Sequence, residues 1–378
     1  MSTTTSTGSA EIGPGVTRSV RKLADGRDIV YYDAAPGHHR AAVDRRDLSD
    51  APTHTELRLD PLLGQWVVVA GHRQARTFLP PTSECPLCPT HGDQLTEVPE
   101  ADYEVAVFEN RFPSLTHELP ADPDLSDDDE ATRHGFGRCE VVCFTSDHGS
   151  SLANVSADRI ALVLEAWIDR DRVLSDMDGV EYVFVFENRG VEIGVTLSHP
   201  HGQIYAYPFV PPRDQQMRDR ARSYREETGG DLFEAVIARE TAEAERIVYS
   251  GEHWLAFVPR AAKWPFEMQM FTRRPIARLA DLSPEEKAEF STMYLAILRS
   301  LDAVLGLPMP YIAAWHQAPV HQDPRDSRLF LEIFSLRRAA KKLKYLAGSE
   351  SAAGVWINDI RPEDAAQQLR DAMARIRG

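Results

Sequence analysis

The residues Ser198-His199-Pro200-His201-Gly202-Gln203 bring two imidazoles and an amide within six positions of one another. Read as extended chain, alternate side chains share a face, so His199, His201, Gln203, Tyr205 and Tyr207 line one side of a strand. Packing alone would put Val, Ile or Leu there. Pro200 and Pro208 leave a plainer reading open, a polar strand at a sheet edge. An imidazole near neutral pH serves as base, metal ligand or nucleophile, and the neighbouring sequence has to decide among them.

Cys85-Pro86-Leu87-Cys88, in a proline-rich loop, is a knuckle whose two thiolates can reach one zinc ion. No helical pattern starts at Cys85, which weighs against a thioredoxin-like redox pair. Cys139 and Cys143 do not complete the set. Four residues apart in an expected strand, Arg138–Thr145, they stand roughly 13 Å from each other. Two sulfurs on one zinc are at most about 4.6 Å apart, twice the ~2.3 Å bond. With Val141 they are expected to form a buried face. The candidates for the remaining ligands are His148 and His199. If Cys85, Cys88, His148 and His199 fill one zinc, the site is closed and the metal is structural. His201 then stays free, with Gln203 beside it. An imidazole nitrogen that attacks phosphorus forms a labile phosphoramidate, which suits ping-pong group transfer. Gln203 can donate to a phosphoryl oxygen as charge develops there. No acid stands where Ser198 would need a triad partner.

The elements that must hold these groups belong to a 378-residue chain, 43% hydrophobic, long enough for two core-forming units. No run of 18 apolar residues and no apolar leader occur, so a cytoplasmic protein without membrane contact is expected. A net charge of −16 argues against nucleic acid as a partner. Part of that charge sits in Asp122–Glu130, read as a solvated loop. An anionic substrate would need local cations to overcome the global field.

Residues 1–17 are small and polar and read as a disordered tail. The globular part is expected from Thr53, with a strand at Gln65–Ala70. Arg73 and Arg76 follow that strand and could clamp an anion or lie solvated on the surface. A repeat then organises the chain. Phe144-Thr145…Leu152-Ala153-Asn154-Val155-Ser156 is echoed by Phe271-Thr272…Leu279-Ala280-Asp281-Leu282-Ser283. Each copy follows a strand and opens a helix, the second with a Ser283–Glu286 capping box and Pro284 at its first position. Each helix leads to a further strand, Glu181–Phe186 or Pro310–Trp315. The chain is therefore expected to be a duplicated α+β fold with mainly antiparallel sheets. One half, 53–212, carries the zinc site and nucleophile. A charged helical connection, 213–243, leads to a second half, 244–378, expected to supply support and substrate contacts. Phe108-Glu109-Asn110-Arg111 recurs as Phe186-Glu187-Asn188-Arg189, both at strand ends where polar side chains can reach a ligand. Arg337–Lys344 is a basic run, either a solvated helix face or a phosphate site.

With C-P-L-C, C-F-T-S-D-H, F-E-N-R-G, S-H-P-H-G-Q-I-Y and K-L-K-Y-L-A-G-S-E in place, the chain closely resembles the galactose-1-phosphate uridylyltransferase family of the histidine-triad superfamily. The resemblance runs from about Leu59 to the C-terminus. It implies a duplicated histidine-triad-like fold, a homodimer, and exchange of UMP between UDP-glucose and galactose 1-phosphate through a uridylyl-histidine. By motif, His201 matches the nucleophile, Gln203 its phosphoryl-binding partner, and Cys85, Cys88, His148 and His199 the ligands of one zinc per subunit. Arg73, Arg76, Asn110 and Asn188 match nucleotide contacts. Lys344 matches a phosphate contact, from its own or the neighbouring subunit, and Glu350 a hexose contact.

The departures are specific. Arg111 stands where some members have a ribose-binding Asp, and Thr196 replaces a Ser near the phosphates. Some relatives hold a second metal with one Glu and three His. The matching positions here are Met217, His316, Leu331 and Ile333, so no second metal is expected. Two other readings compete: a related ADP-sugar or dinucleotide phosphorylase, and a zinc-stabilised binding protein without catalysis.

Overall fold

A computed structural model describes residues 8–13, 15–34, 37–48, 55–75, 78–117 and 131–377. The strands are β1 Gly8–Gly13, β2 Val16–Lys22, β3 Asp28–Asp33, β4 Glu56–Asp60, β5 Gln65–Val69, β6 Val105–Glu109, β7 Thr132–His134, β8 Arg138–Cys143, β9 Tyr182–Arg189, β10 His201–Tyr207, β11 Ile247–Ser250, β12 Trp254–Phe257, β13 Phe266–Thr272, β14 Tyr311–His316, β15 Phe330–Ser335, β16 Arg337–Ala339 and β17 Lys342–Leu343. The α-helices are α1 Ala157–Ser175, α2 Pro212–Thr228, α3 Leu232–Glu243, α4 Pro284–Leu305, α5 Gly348–Ser351 and α6 Pro362–Arg377.

Twelve strands form one sheet in the order β1-β2-β3-β6-β8-β10-β9-β14-β15-β13-β12-β11. Its neighbours run antiparallel throughout. The central eight read as a palindrome: β6-β8-β10-β9, then β14-β15-β13-β12. In chain order β6, β8, α1, β9 and β10 therefore correspond to β12, β13, α4, β14 and β15. This is the duplicated α+β fold, joined where β9 pairs with β14. The repeat read from the sequence marks corresponding joints. Ser156 caps α1 by accepting from the Arg159 amide, and Ser283 caps α4 in a box with Glu286.

Helices α1, α4 and α6 cover one face of the sheet. Trp167 of α1 packs against Trp315 and Phe144, and Phe290 of α4 against Trp254 and Trp315. Val183, Val185, Ile204 and Ala206 meet them from the sheet. Buried Arg170 of α1 donates two bonds, at 2.7 and 2.8 Å, to Glu140 on β8. Those bonds tie helix to sheet and hold the Glu140 carboxyl below its usual range against the effect of burial. The opposite face is left for the polar side chains of β10.

The sequence reading of the N-terminus is corrected. Gly8–Gly13 is a strand and Val16 opens another, in place of a disordered tail over 1–17; residues 1–7 lie outside the described residues. The missed element is the β2–β3 hairpin. Its signal was Asp25-Gly26 between two β-rich runs, and Gly26 takes φ +84°, which favours glycine. The acidic run Asp122–Glu130 also lies outside the described residues. The stretch 213–243 is two helices, α2 and α3, broken at Gly229.

Glu187 of β9 faces the helices, 5% exposed. The Tyr311 hydroxyl donates to one of its carboxylate oxygens at 2.9 Å. Burial raises its pKa from 4.5 to about 7. A folded pKa above the unfolded one means that the stability contributed is full below about pH 4.5 and lost as pH rises through about 7. Glu187→Gln keeps the shape and removes the charge. Relative to wild type it should gain stability at pH 8 over pH 5, by on the order of 3 kcal/mol at most. Thermal melts at both pH values check this; an equal difference at both would show that Glu187 does not bury a proton.

Candidate active site

His201 opens β10, a central strand between β8 and β9 and not an edge. Gly202, Ile204 and Ala206 are buried toward the helices, while His201, Gln203, Tyr205 and Tyr207 face the other way, as alternation predicts. His199, expected on the same strand face as His201, instead precedes the strand and turns toward the Cys85–Cys88 loop.

Cys85, Cys88, His148 and His199 converge, their ligand atoms all within 4.8 Å of one another. Cys88 Sγ is 3.3 Å from His148 Nδ1 and 3.5 Å from His199 Nδ1. Ligand edges of a tetrahedron with bonds of ~2.0–2.3 Å are about 3.5 Å long, so the spacing fits a metal. The tautomer of His199 fits as well. Its Nε2 donates to the Thr145 carbonyl at 2.8 Å, with the Tyr103 hydroxyl also at 2.8 Å. That leaves the Nδ1 lone pair facing Cys88. Burial lowers the His199 pKa to about 4, keeping the ring neutral as a ligand must be. Burial and Cys85 push the Cys88 thiol up to about 12, so metal uptake would release its proton. Cys139 and Cys143 are buried and free, and they pair with Tyr205 and His201 at separate points of the ladder.

His201 Nδ1 lies 2.7 Å from the carbonyl of His199. A carbonyl only accepts, so Nδ1 carries the proton and Nε2 keeps its lone pair. Burial lowers the pKa of the ring, which favours this neutral form. Gln203 accepts from the Tyr205 hydroxyl at 3.1 Å through Oε1, which leaves its NH₂ free to donate.

Two cavities meet at His201. One, of about 210 Å³, has apolar walls from Leu87, Phe108 and Val141 and polar ones from Arg73, Asn110, Arg111, Thr196 and Gln203. The other, of about 270 Å³, has Ser151, Asn154, Glu187 and Asn188 around it. Arg73 donates to Ser114 Oγ. The cations of this acidic chain are thus placed locally, as an anionic ligand requires. Arg76 lies outside the described residues.

Lys344 and Glu350 are placed elsewhere. They pair with each other at 2.7 Å, and neither lines the two cavities. The basic run is a short β16–β17 hairpin and not a helix face, with Arg337 paired to Glu192 and Arg338 to Asp359. Leu331 and Ile333 are core residues, and Met217 packs near Ile237, Leu255 and Phe257. His316 holds Asp214 at 2.8 Å, while Glu332 lies 3.8 Å away and takes two 2.6 Å bonds from Arg213. The sequence reading missed these three partners, as it missed Tyr103 and the Leu87–Phe108–Val141 wall. They are separated in the chain and carry no local spacing signal.

Gly202 is required between His201 and Gln203. A Cβ there would stand 2.7 Å from the Phe144 ring and 2.9 Å from the Phe186 carbonyl. Gly202→Ala should cost about 1–3 kcal/mol in stability by overpacking. By shifting His201 it should cut activity on the order of a hundredfold. Unfolding curves and turnover measured on one preparation check both, and wild-type turnover would contradict the close fit.

The match to the family model described as galactose-1-phosphate uridyl transferase, N-terminal domain, spans residues 45–211, and that to its C-terminal domain spans 217–377. A galactose-1-phosphate uridylyltransferase of Streptomyces lividans is 43% identical over 361 residues, covering 93% of this chain and 96% of its own. A solved uridylyltransferase structure superposes with a TM-score of 0.76 at 32% identity, covering 85% of this chain and 99% of its own. An ADP-glucose phosphorylase from Arabidopsis thaliana reaches 0.65 at 25% identity, covering 84% and 98%. Both halves of the chain and the great majority of its length are accounted for by one family. The chain belongs to the galactose-1-phosphate uridylyltransferases.

Proposed function

We propose that this chain exchanges UMP between UDP-glucose and galactose 1-phosphate, with His201 as the covalent nucleophile. The observation that carries the reading is the 2.7 Å bond from His201 Nδ1 to the His199 carbonyl, which leaves Nε2 free where two cavities meet. Nε2 attacks the α-phosphorus of UDP-glucose. The N–P bond forms as the bond to the bridging oxygen breaks, and glucose 1-phosphate leaves with that electron pair. The phosphate oxygen of galactose 1-phosphate then attacks the uridylyl-histidine, giving UDP-galactose and restoring Nε2. The Gln203 amide donates to the phosphoryl oxygens, and Arg73 and Thr196 offer further donors. The uridine lies against Leu87, Phe108 and Val141, with Asn110 and Arg111 at the polar rim. Asn188 contacts the phosphates from the second cavity.

Zinc is the metal that suits Cys85, Cys88, His148 and His199, because thiolates and imidazoles favour it over hard cations. With four protein ligands it holds no substrate. One per chain is expected, in the cytoplasm, where the thiols stay reduced. No second metal is expected: Arg213 and protonated His316 already balance Glu332 and Asp214, and burial is outweighed by those carboxylates to hold His316 at about 8. A homodimer supplies the rest. Lys344 and Glu350 lie beside exposed Tyr345, Leu346, Val355 and Ile357, with Tyr345 74% exposed. A second copy covering that apolar patch would bring the pair to its neighbour's cavity. Neither nucleic acid nor membrane enters this reading, and no described helix is long and apolar enough to cross a membrane.

Supplied with UDP-glucose alone, the chain should gain the mass of one UMP, and His201→Asn should abolish the adduct. Galactose 1-phosphate should then release UDP-galactose. Turnover by His201→Asn would sink the assignment. Adduct formation from ADP-glucose with release to inorganic phosphate would favour the phosphorylase reading instead, and no adduct from either would leave the binding-protein reading. Cys88→Ser should lose the metal, stability and activity together, read by elemental analysis and melting.

A further inference from the structure

The β2–β3 hairpin lies ahead of residue 45, where the family match begins, yet it reaches the walls of the 210 Å³ cavity. Strand β3 pairs with β6 so that Ile29 stands opposite Phe108. Leu23, Ile29 and Tyr31 share one apolar cluster with Leu87, Phe108 and Val141. Next to this cluster, Arg27 joins two segments that close the cavity. Its Nη1 donates to the Glu109 carbonyl at 2.6 Å, immediately before Asn110. Its Nη2 donates to Glu97 at 2.7 Å. Glu97 is itself on the cavity wall, and its amide donates to the Pro86 carbonyl of the cysteine knuckle at 2.9 Å. Asp25 takes the Nε of Arg27 at 2.7 Å, and Arg46 holds the other oxygen of Glu97 at 2.7 Å. The guanidinium thus joins the end of strand β6, the turn of the hairpin and Glu97, which is tied to the knuckle loop.

We infer that the N-terminal hairpin buttresses the wall of the nucleotide cavity from behind and that Arg27 is a positioning residue, holding Asn110 and Leu87 at the spacing the nucleoside needs. The inference rests on the nucleotide reading of that cavity. The planar fork of Arg27 offers one nitrogen to the carbonyl and another to the carboxylate at a fixed separation, which the single ammonium nitrogen of a lysine does not reproduce. Loss of the fork lets the two walls separate without touching His201.

The test uses the full chain, with metal content, melting temperature and exchange kinetics measured for each variant. Arg27→Ala should raise KM for UDP-glucose about tenfold, leave kcat within about twofold and keep the metal, since uniform binding is lost and not transition-state stabilisation. Arg27→Lys should fall between, and it carries the test if the alanine variant does not fold. Arg18→Ala is the control: Arg18 ties the same hairpin to Asp169 of α1 at 3.1 Å, so it should lower the melting temperature without moving KM. An unchanged KM in the Arg27 variants, or an equal rise in Arg18→Ala, would overturn the inference. A wild-type chain that binds no UDP-glucose would overturn the nucleotide reading, and the inference with it.

Discussion

One hydrogen bond orders the site: His201 Nδ1 to the carbonyl of His199, 2.7 Å. It does what a buried carboxylate does for other catalytic imidazoles, fixing tautomer and ring plane, but it adds no charge. The acceptor belongs to a residue whose side chain is committed in the opposite direction, to the Cys85–Cys88–His148 cluster. A metal held there would therefore fix the carbonyl that orients His201 through the main chain. Pro200, between the two histidines, cannot donate a backbone bond and limits the conformations open to the pair. The cluster that could hold a metal and the imidazole of His201 are thus linked through two residues of main chain.

The position of that device in the sheet is equally constrained. β10 is flanked by β8 and β9, and its small residues Gly202 and Ala206 face a closely packed layer. Rigidity on the helix side allows unpaired polar groups on the other, because the strand need not fold around a ligand to hold them in place. Buried Arg170–Glu140 and the aromatic packing of Trp167, Trp254, Trp315 and Phe290 supply that rigidity. They lie across two helices and both halves of the duplication.

What could be read from the sequence was what is local. Alternation gave the face of His201 and Gln203; spacing separated the Cys85–Cys88 knuckle from Cys139 and Cys143; a repeated capping segment gave the duplication. What escaped was of two kinds. The Asp25-Gly26 hairpin was legible by its turn chemistry, but the small polar residues before it masked the strand pattern. The cavity walls were not legible, because Leu87, Phe108 and Val141 are ordinary core residues in a sequence. Only their convergence on a void distinguishes them. Lys344 and Glu350 are the reverse case, conspicuous in sequence yet satisfied by each other in a single chain.

The duplication makes a further comparison possible, between β10 and its counterpart β15. On the face away from the helices, β10 presents His201 and Gln203, whose Nε2 and NH₂ have no hydrogen-bond partner among the described residues. On the same face of β15, Glu332 is enclosed by Arg213 and His316, and His316 in turn by Asp214. Both faces are polar and both halves share one architecture, so fold alone does not assign the chemistry. The difference is in the charge account. Around Glu332, Arg213 and His316 meet the carboxylates of Glu332 and Asp214, with the Glu267 carboxyl raised to about 7 by burial and by Glu332; the Glu332 carboxyl is held down at about 2 by His316 and Arg213 against its burial. In such a set the charges are spent on one another, whatever its net effect on stability. Around His201 the donors and acceptors are neutral and, among the described residues, left over for a ligand.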